Sequence, residues 1–451
     1  MKVLFSNPPW WVGKQKLHDE DGVLRDFYTG GVRAGSRWPF TKLMRSQPDQ
    51  YRYADYTPYP FFMGYAATYL QKALPEVQVR FRDSIAIKES YKKWIQYVQR
   101  ESPNYFVFES ASPSWEHDRA LLLKLHKHFP QMKIVVTGPI VANAKKVMHE
   151  VPVHACIKGE YEKGIVRVLE GEEGILEHDL LTKKEMNDAP FPWYDELHAL
   201  RYWDGCPHGQ VPPHAHVWSS RGCPYKCIFC VWPATMTGND PDGLSRRTVR
   251  HYTPEYMEAF LTELVSKYNY QSIYFDDDTF NLGNRHVVKM CEVMQKINLP
   301  WSAMCRADTI KMETWKLMKD SGCFGVKLGF ESGNQRVVNQ IVNKHLDLEY
   351  SKGVVRHLKE IGMTVHGTFT YGLPGETKED MMDTKSFIAS LPFDSIQESG
   401  TAEIEGTPLS TLSEKGHLEA YEGAVIDESY QRDNNGSQKW QKLSEELRRG
   451  Q

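Results

Sequence analysis

Apolar positions fall into two alternating series along the chain, separated by an irregular stretch. In the first series, "KVLFS", "VQVRFRD", "YFVFES", "KIVVTG" and "ACIKGE" read as short strands. The stretches "FMGYAATYLQKAL", "YKKWIQYVQR", "RALLLKLHKHF", "AKKVMHEV" and "GIVRVLEG" between and after them carry a helical period. Strands that alternate with amphipathic helices and end in Ser, Gly or Asp predict a doubly wound parallel sheet with ligand-facing loops at its carboxyl edge. This first domain is placed at residues 1–170, with an aromatic-rich insertion from Trp10 to Phe62 after the first strand.

Residues 171–214 are proline-rich and weakly periodic, and they read as a linker. The second series then opens with "HVWSS" and continues through "SIYFDD", "WSAMCRA", "FGVKLGFES", "VHGTFTYG" and "SIQESGTAEI". Helical patterns near 254–268, 284–297, 312–320, 334–342, 347–361 and 376–390 complete six strand–helix units. Six units predict a partial (β/α)6 barrel of the TIM type over residues 215–410, with its chemistry at the carboxyl ends of the strands. Residues 411–451 read as a short polar tail.

The composition narrows the class. At 451 residues and 41% hydrophobic the chain exceeds the size at which a single core stops growing. Its net charge of −3, without long runs of one sign, gives no electrostatic footprint for nucleic acid or an anionic bilayer. No basic, apolar leader opens the sequence, and no run of about 18 apolar residues occurs, so a cytoplasmic protein without membrane insertion is expected. Eight cysteines in so long a chain are too sparse for a disulfide scaffold.

Three of those cysteines fall within eight positions, in "SSRGCPYKCIFCVWP", directly after the first strand of the second series. Zinc with His208, His214 or His216 as fourth ligand is one reading of Cys223, Cys227 and Cys230. A thiol–disulfide pair is a second, and it leaves one cysteine unexplained. The third is an iron–sulfur cluster with one iron left open, since a cluster normally takes four thiolates.

The Cys-x3-Cys-x2-Cys spacing, with Phe229 before the last cysteine, resembles the signature of the radical S-adenosylmethionine superfamily. That resemblance implies a 4Fe-4S cluster held by Cys223, Cys227 and Cys230. S-adenosylmethionine on the open iron would be cleaved by one electron to a 5'-deoxyadenosyl radical. It also implies contacts to S-adenosylmethionine from Phe229, from Asp276, Asp277 and Asp278 after the second strand, and from Arg306 after the third. Glu331 after the fourth strand and the Gly372, Pro374 and Gly375 loop after the fifth complete the set. The bland readings are an acidic turn, a surface cation and an ordinary Gly-Pro turn.

The doubly wound domain ahead of the barrel resembles the cobalamin-binding domain of a large subgroup. Ser6, Asn7, Ser110, Ser112, Thr137, Gly138, Gly159 and Glu160 are its implied cobalamin contacts, and all are equally ordinary turn residues. No Asp-x-His-x-x-Gly supplies a histidine to cobalt. The resemblance implies cobalamin-dependent C-methylation of an unactivated carbon in a small-molecule or peptide substrate, with an electron donor such as flavodoxin or ferredoxin. A radical dehydratase, cyclase or epimerase with an empty first domain is the alternative enzyme. A nonenzymatic metal-binding regulatory protein is the alternative of another class.

Overall fold

A computed structural model of the chain describes residues 1–9, 11–18, 24–31, 41–45, 56–204, 211–401 and 403–414. It divides into two compact units, one of residues 1–205 with 235–239, the other of residues 206–234 with 240–451.

The first unit is built on six parallel strands: β1 (Lys2–Asn7), β2 (Gln78–Asp83), β3 (Tyr105–Glu109), β4 (Lys133–Thr137), β5 (Ala155–Ile157) and β6 (Gly174–Leu176). Their order across the sheet is β6-β5-β4-β3-β1-β2. The chain therefore steps from β1 to one side and then returns to build outward on the other. The strands read almost continuously apolar because both faces are covered. Leu4, Phe106, Phe108, Ile134 and Val136 enter one core with Trp94 and Trp115 from the helices α2 (Tyr91–Glu101) and α3 (Trp115–His128). Helices α1 (Phe61–Ala73), α4 (Ala144–Glu150) and α5 (Glu162–Leu169) complete this alternation.

One expectation changes here. Residues 171–205 are part of the first unit rather than a linker. Gly174–Leu176 adds the sixth strand, Tyr194 stacks on Tyr59 at 4.5 Å, and Trp193 donates its N–H to Gly64 O at 3.0 Å. Irregular sequence is thus held by aromatic packing and backbone bonds, which leave no periodicity to read. The insertion also contains an antiparallel sheet of Trp11–His18, Leu24–Gly31 and Thr41–Arg45. Trp10, Trp38, Phe40, Tyr51 and Tyr53 lie outside the described residues. Tyr59, Phe61 and Phe62 are core residues.

The second unit carries β7 (His214–Val217), β8 (Ser272–Phe275), β9 (Trp301–Cys305), β10 (Cys323–Glu331), β11 (Thr364–Tyr371) and β12 (Ser395–Gly400), all parallel and paired in sequence order. Sequential parallel pairing without a closing β7–β12 ladder is the connectivity of a partial barrel. Helices α6 (Pro254–Lys267), α7 (Asn284–Ile297), α8 (Met312–Asp320), α9 (Leu348–Glu360) and α10 (Lys378–Ala389) join the strands. The stretch expected at 334–342 is one wide helical turn, Val337–Ile341. Thr253 and Asp347 cap α6 and α9, and Thr377 with Asp380 forms a capping box on α10, so each helix starts where its cap stands. A short helix, Pro408–Glu414, runs past the expected end of the barrel at residue 410, and the remainder of the tail lies outside the described residues. Among the described residues, no helix is long and apolar enough to cross a membrane.

Candidate active site

The cysteine loop follows β7 and is pinned through its backbone. Ile228 N–H donates to Val342 O at 3.1 Å, Leu409 N–H donates to Ile228 O at 2.9 Å, and Cys230 N–H donates to Cys227 O at 3.1 Å. Cys227 and Ile228 pack with Val337, Ile341, Val342, Leu373 and Leu409, and Phe229 and Cys230 lie against that group. Phe229 is therefore partly packing. All three cysteines are free thiols, Cys223 and Cys227 buried and Cys230 partly so.

Burial pushes the three thiols up, Cys223 to about 11; Cys227 adds to the rise of Cys223, and both add to that of Cys230. Lys344, Arg306 and Arg247 act in the opposite sense on Cys227. Such thiols become thiolates when a metal supplies positive charge. No three His, Cys, Asp or Glu side chains among the described residues converge on a single-ion site. Three thiols on one loop, each able to take its own iron, suit a four-iron cluster that keeps one iron open. His214 and His216, offered above as zinc ligands, face each other at 2.7 Å between their Nε2 atoms within β7. Cys206 and His208 lie outside the described residues.

Around this loop, the strand ends bring their polar residues together in different ways. Asp277 is fully buried and accepts from Ser219 N–H at 3.1 Å, Ser219 Oγ at 2.9 Å and Ser220 Oγ at 2.5 Å. That carboxylate fixes the end of β7 from which the cysteine loop departs. Asp276 is buried, and its carbonyl accepts from Trp218 Nε1 at 2.8 Å. Asp278 is half-buried, and its charge raises Cys223 and Cys230.

Arg306 is buried and stacks over the Tyr225 ring of the cysteine loop at 3.7 Å. Its Nε and Nη2 bind Asp308 at 2.5 and 2.9 Å, and Nη2 also donates to His345 O at 2.9 Å. Nη1 is buried with no hydrogen-bond partner. A buried guanidinium nitrogen left over in this way is a donor awaiting an acceptor such as a carboxylate.

Glu331 sits at φ 68° beside a register shift in the β10–β11 ladder, a conformation that costs a non-glycine residue energy. Its Oε1 accepts from Lys344 Nζ at 2.8 Å and its Oε2 from Thr370 Oγ1 at 3.2 Å. Gly372 at φ 73° has open space where a Cβ would stand, and Gly375 is also at positive φ. Pro374 is buried between them. The sequence reading missed Glu376, whose Oε2 accepts from the N–H groups of Gly372 and Leu373 at 2.8 and 3.1 Å. Burial pushes this carboxyl to about 8, and its Oε1 is buried without a partner.

A further group lies lower on the sheet, and only its His216 was named from the sequence. His216 and Tyr274 stand side by side in register, their rings 5.5 Å apart, and Lys327 Nζ lies 4.6 Å from the Tyr274 ring. The only sequence signal was polar residues at alternate positions in apolar strands.

At the carboxyl edge of the first sheet, several expected contacts serve their own unit. Ser6 Oγ donates to Arg82 O and accepts from Trp94 Nε1, Ser110 Oγ donates to Asp118, and Thr137 Oγ1 donates to Phe108 O at 3.4 Å. Ser112 starts the single turn Ser112–Ser114. Glu160 is buried and its N–H donates to Met236 O at 3.0 Å. Gly138 and Gly159 have positive φ. A Cβ at Gly138 would stand 2.5 Å from Ser110 O, and one at Gly159 would stand 2.6 Å from the His178 ring. These glycines are thus required by the unit itself. Asn7 is different, because its Oδ1 is buried with no partner.

Residues 219–388 match the family described as the Radical SAM superfamily. An uncharacterized methyltransferase of Pyrococcus horikoshii is 26% identical over 78% of this chain and 77% of its own. The cytidylyl-2-hydroxyethylphosphonate methyltransferase of Streptomyces wedmorensis is 27% identical over 50% of this chain, a match that spans 43% of the relative's length. Among solved structures, the radical S-adenosylmethionine methyltransferase TsrM of Kitasatospora setae, with cobalamin and a [4Fe-4S] cluster bound, superposes with a TM-score of 0.61. It is 14% identical and covers 92% of this chain and 78% of that one. The cobalamin-dependent S-adenosylmethionine radical enzyme OxsB, with aqua-cobalamin bound, gives a TM-score of 0.55 at 13% identity, over 92% of this chain and 66% of that one. At such identities these structures speak to the fold, a parallel sheet followed by a second parallel sheet. The cysteine loop and the strand ends from β8 to β11 fall inside the matched span, so this chain is an enzyme that carries a Radical SAM domain over residues 219–388.

Proposed function

We propose that this enzyme is a cobalamin-dependent radical C-methyltransferase. The observation that carries the reading is the pairing, in one chain, of a 2-1-3 parallel sheet that leaves polar atoms unsatisfied at its carboxyl edge with a radical S-adenosylmethionine unit. Open sheets of this order bind ligands at that edge. The methyltransferase names among the relatives support the same direction.

In this reading Cys223, Cys227 and Cys230 each hold one iron. Arg306 Nη1 takes the carboxylate of S-adenosylmethionine while its other nitrogens keep the guanidinium fixed. Asp278 and Asp276 face its cationic groups, and Glu331 its ribose or amine. The Gly372–Gly375 loop, held by Glu376, passes its adenine. Bound there, the family's cofactors supply a 5'-deoxyadenosyl radical and a methyl group, and the protein supplies orientation and exclusion of water. Reducing equivalents come from an electron donor such as flavodoxin or ferredoxin, and the substrate is a small molecule or peptide.

Anaerobically purified protein should take up about one equivalent of cobalamin. It should form 5'-deoxyadenosine together with S-adenosylhomocysteine, because S-adenosylmethionine then serves as both radical source and methyl donor. Turnover without cobalamin and without S-adenosylhomocysteine would overturn the reading. It would favour the dehydratase, cyclase or epimerase alternative, which is supported by the internal occupation of Ser6, Ser110 and Thr137.

A further inference from the structure

The two central strands of the first sheet end in an unusual pair. Strands β1 and β3 are neighbours in register, Phe5 opposite Val107, and that register carried two residues further puts Asn7 level with Glu109. This is the point at which the chain switches direction of build across the sheet, the place where open parallel sheets hold ligands. The row continues on both sides, with Asp83 opposite Asn7 and Thr137 opposite Glu109. All four side chains belong to residues no more than 2% exposed.

Two atoms in this row stand out. Asn7 Oδ1 and Glu109 Oε2 are both buried, and both lack a hydrogen-bond partner. Glu109 Oε1 is engaged, accepting from Tyr161 Oη at 2.6 Å. Buried polar atoms are nearly always paired, so two orphaned acceptors on adjacent strand ends call for N–H donors from outside the unit. A primary amide presents two N–H bonds from one nitrogen, and the rim of a corrin carries several such amides.

We propose that Asn7 and Glu109 form a two-acceptor grip at the β1/β3 switch point that takes the N–H donors of a primary amide on the rim of a corrinoid. The proposal rests on the cobalamin reading above and adds the residues that grip the cofactor's edge. Glu109 was not among the residues singled out from the sequence, although a carboxylate closing the apolar run "YFVFE" is its visible trace.

The grip has a pH signature. Burial pushes Glu109 up to about 7, Tyr161 opposes this, and Asp83 and Glu162 add to it; no cation is among the groups that act on it. Asp83, also raised by burial but only to about 6, is ionised over most of the range in question. An N–H donor at Oε2 favours the ionised carboxylate, so corrinoid binding should tighten as pH rises through 7.

The test is a titration of the full-length, cluster-reconstituted protein with methylcobalamin, in the dark and without oxygen, between pH 6.5 and 8.5. The dissociation constant of the unaltered protein should fall several-fold over this range. Glu109→Gln should remove that dependence, and Asn7→Ala should weaken binding by about tenfold at pH 8.5. Cluster absorbance per chain and the melting temperature check that each variant is folded. If Glu109→Gln does not fold, Asn7→Ala and the pH profile of the unaltered protein still decide the matter. A flat profile in the unaltered protein, or variants that bind as it does, would overturn the grip and leave the cobalamin reading intact. No uptake of methylcobalamin at any pH by the unaltered protein would overturn both.

Discussion

Arg306 spends its guanidinium on Asp308, on His345 O and on the Tyr225 face, and one nitrogen is left over. A lysine there would keep the charge but not the fork or the stack. Arg306→Lys should therefore weaken S-adenosylmethionine binding by one to two decades, corresponding to about 1.5–3 kcal/mol, with the cluster content unchanged. Calorimetry on reconstituted protein reads the first quantity and iron analysis the second. Cys227→Ala should abolish the 4Fe-4S absorption and with it the reductive cleavage of S-adenosylmethionine, whereas Cys206→Ala should leave both in place. The three cysteines stood out in the sequence because their grouping is a matter of intervals along the chain, and the family resemblance supplied the cluster expected of them. Glu376, Glu109 and the leftover nitrogen of Arg306 could not, because what distinguishes them is burial without a full set of partners, a property of the fold.

At the scale of elements, the loop after β11 depends on a carboxyl that burial holds near 8. Its folded value lies above its unfolded one, so the stability it contributes is complete below the unfolded value and is lost as pH rises through the folded one. The melting temperature should accordingly fall between pH 7 and 8.5, and Glu376→Gln should flatten that fall; scanning calorimetry at several pH values checks both. Asp277, just after β8, is the counterpart, a buried acceptor for Ser219 and Ser220. Asp277→Ala should cost about 1–3 kcal/mol by leaving those donors unmet, measurable by denaturant unfolding. Most helices of the second unit were legible almost to the residue, as with α7 at Asn284–Ile297, where the periodicity runs up to Asn298 in the left-handed conformation; the wide turn at Val337–Ile341 was not. The segment after residue 171 was not legible, because it is held by aromatic stacking and isolated backbone bonds rather than by a repeating pattern.

At the scale of the molecule, the division into units does not follow the order of the chain. Residues 235–239, which come soon after the cysteine loop, belong to the first unit, where Met236 O accepts from Glu160 N–H and Thr235 O lies 3.0 Å from His178 Nε2. The polypeptide thus leaves the first unit, returns to it for five residues, and leaves again. A single cut near residue 205 would not yield two intact bodies, since the carboxyl-terminal fragment would carry a strip whose hydrogen-bonding counterparts had been removed. Exchange of one unit between relatives by a simple splice would meet the same obstacle. The seam that evolution or an engineer must respect is threefold, and it runs within a few residues of Cys230.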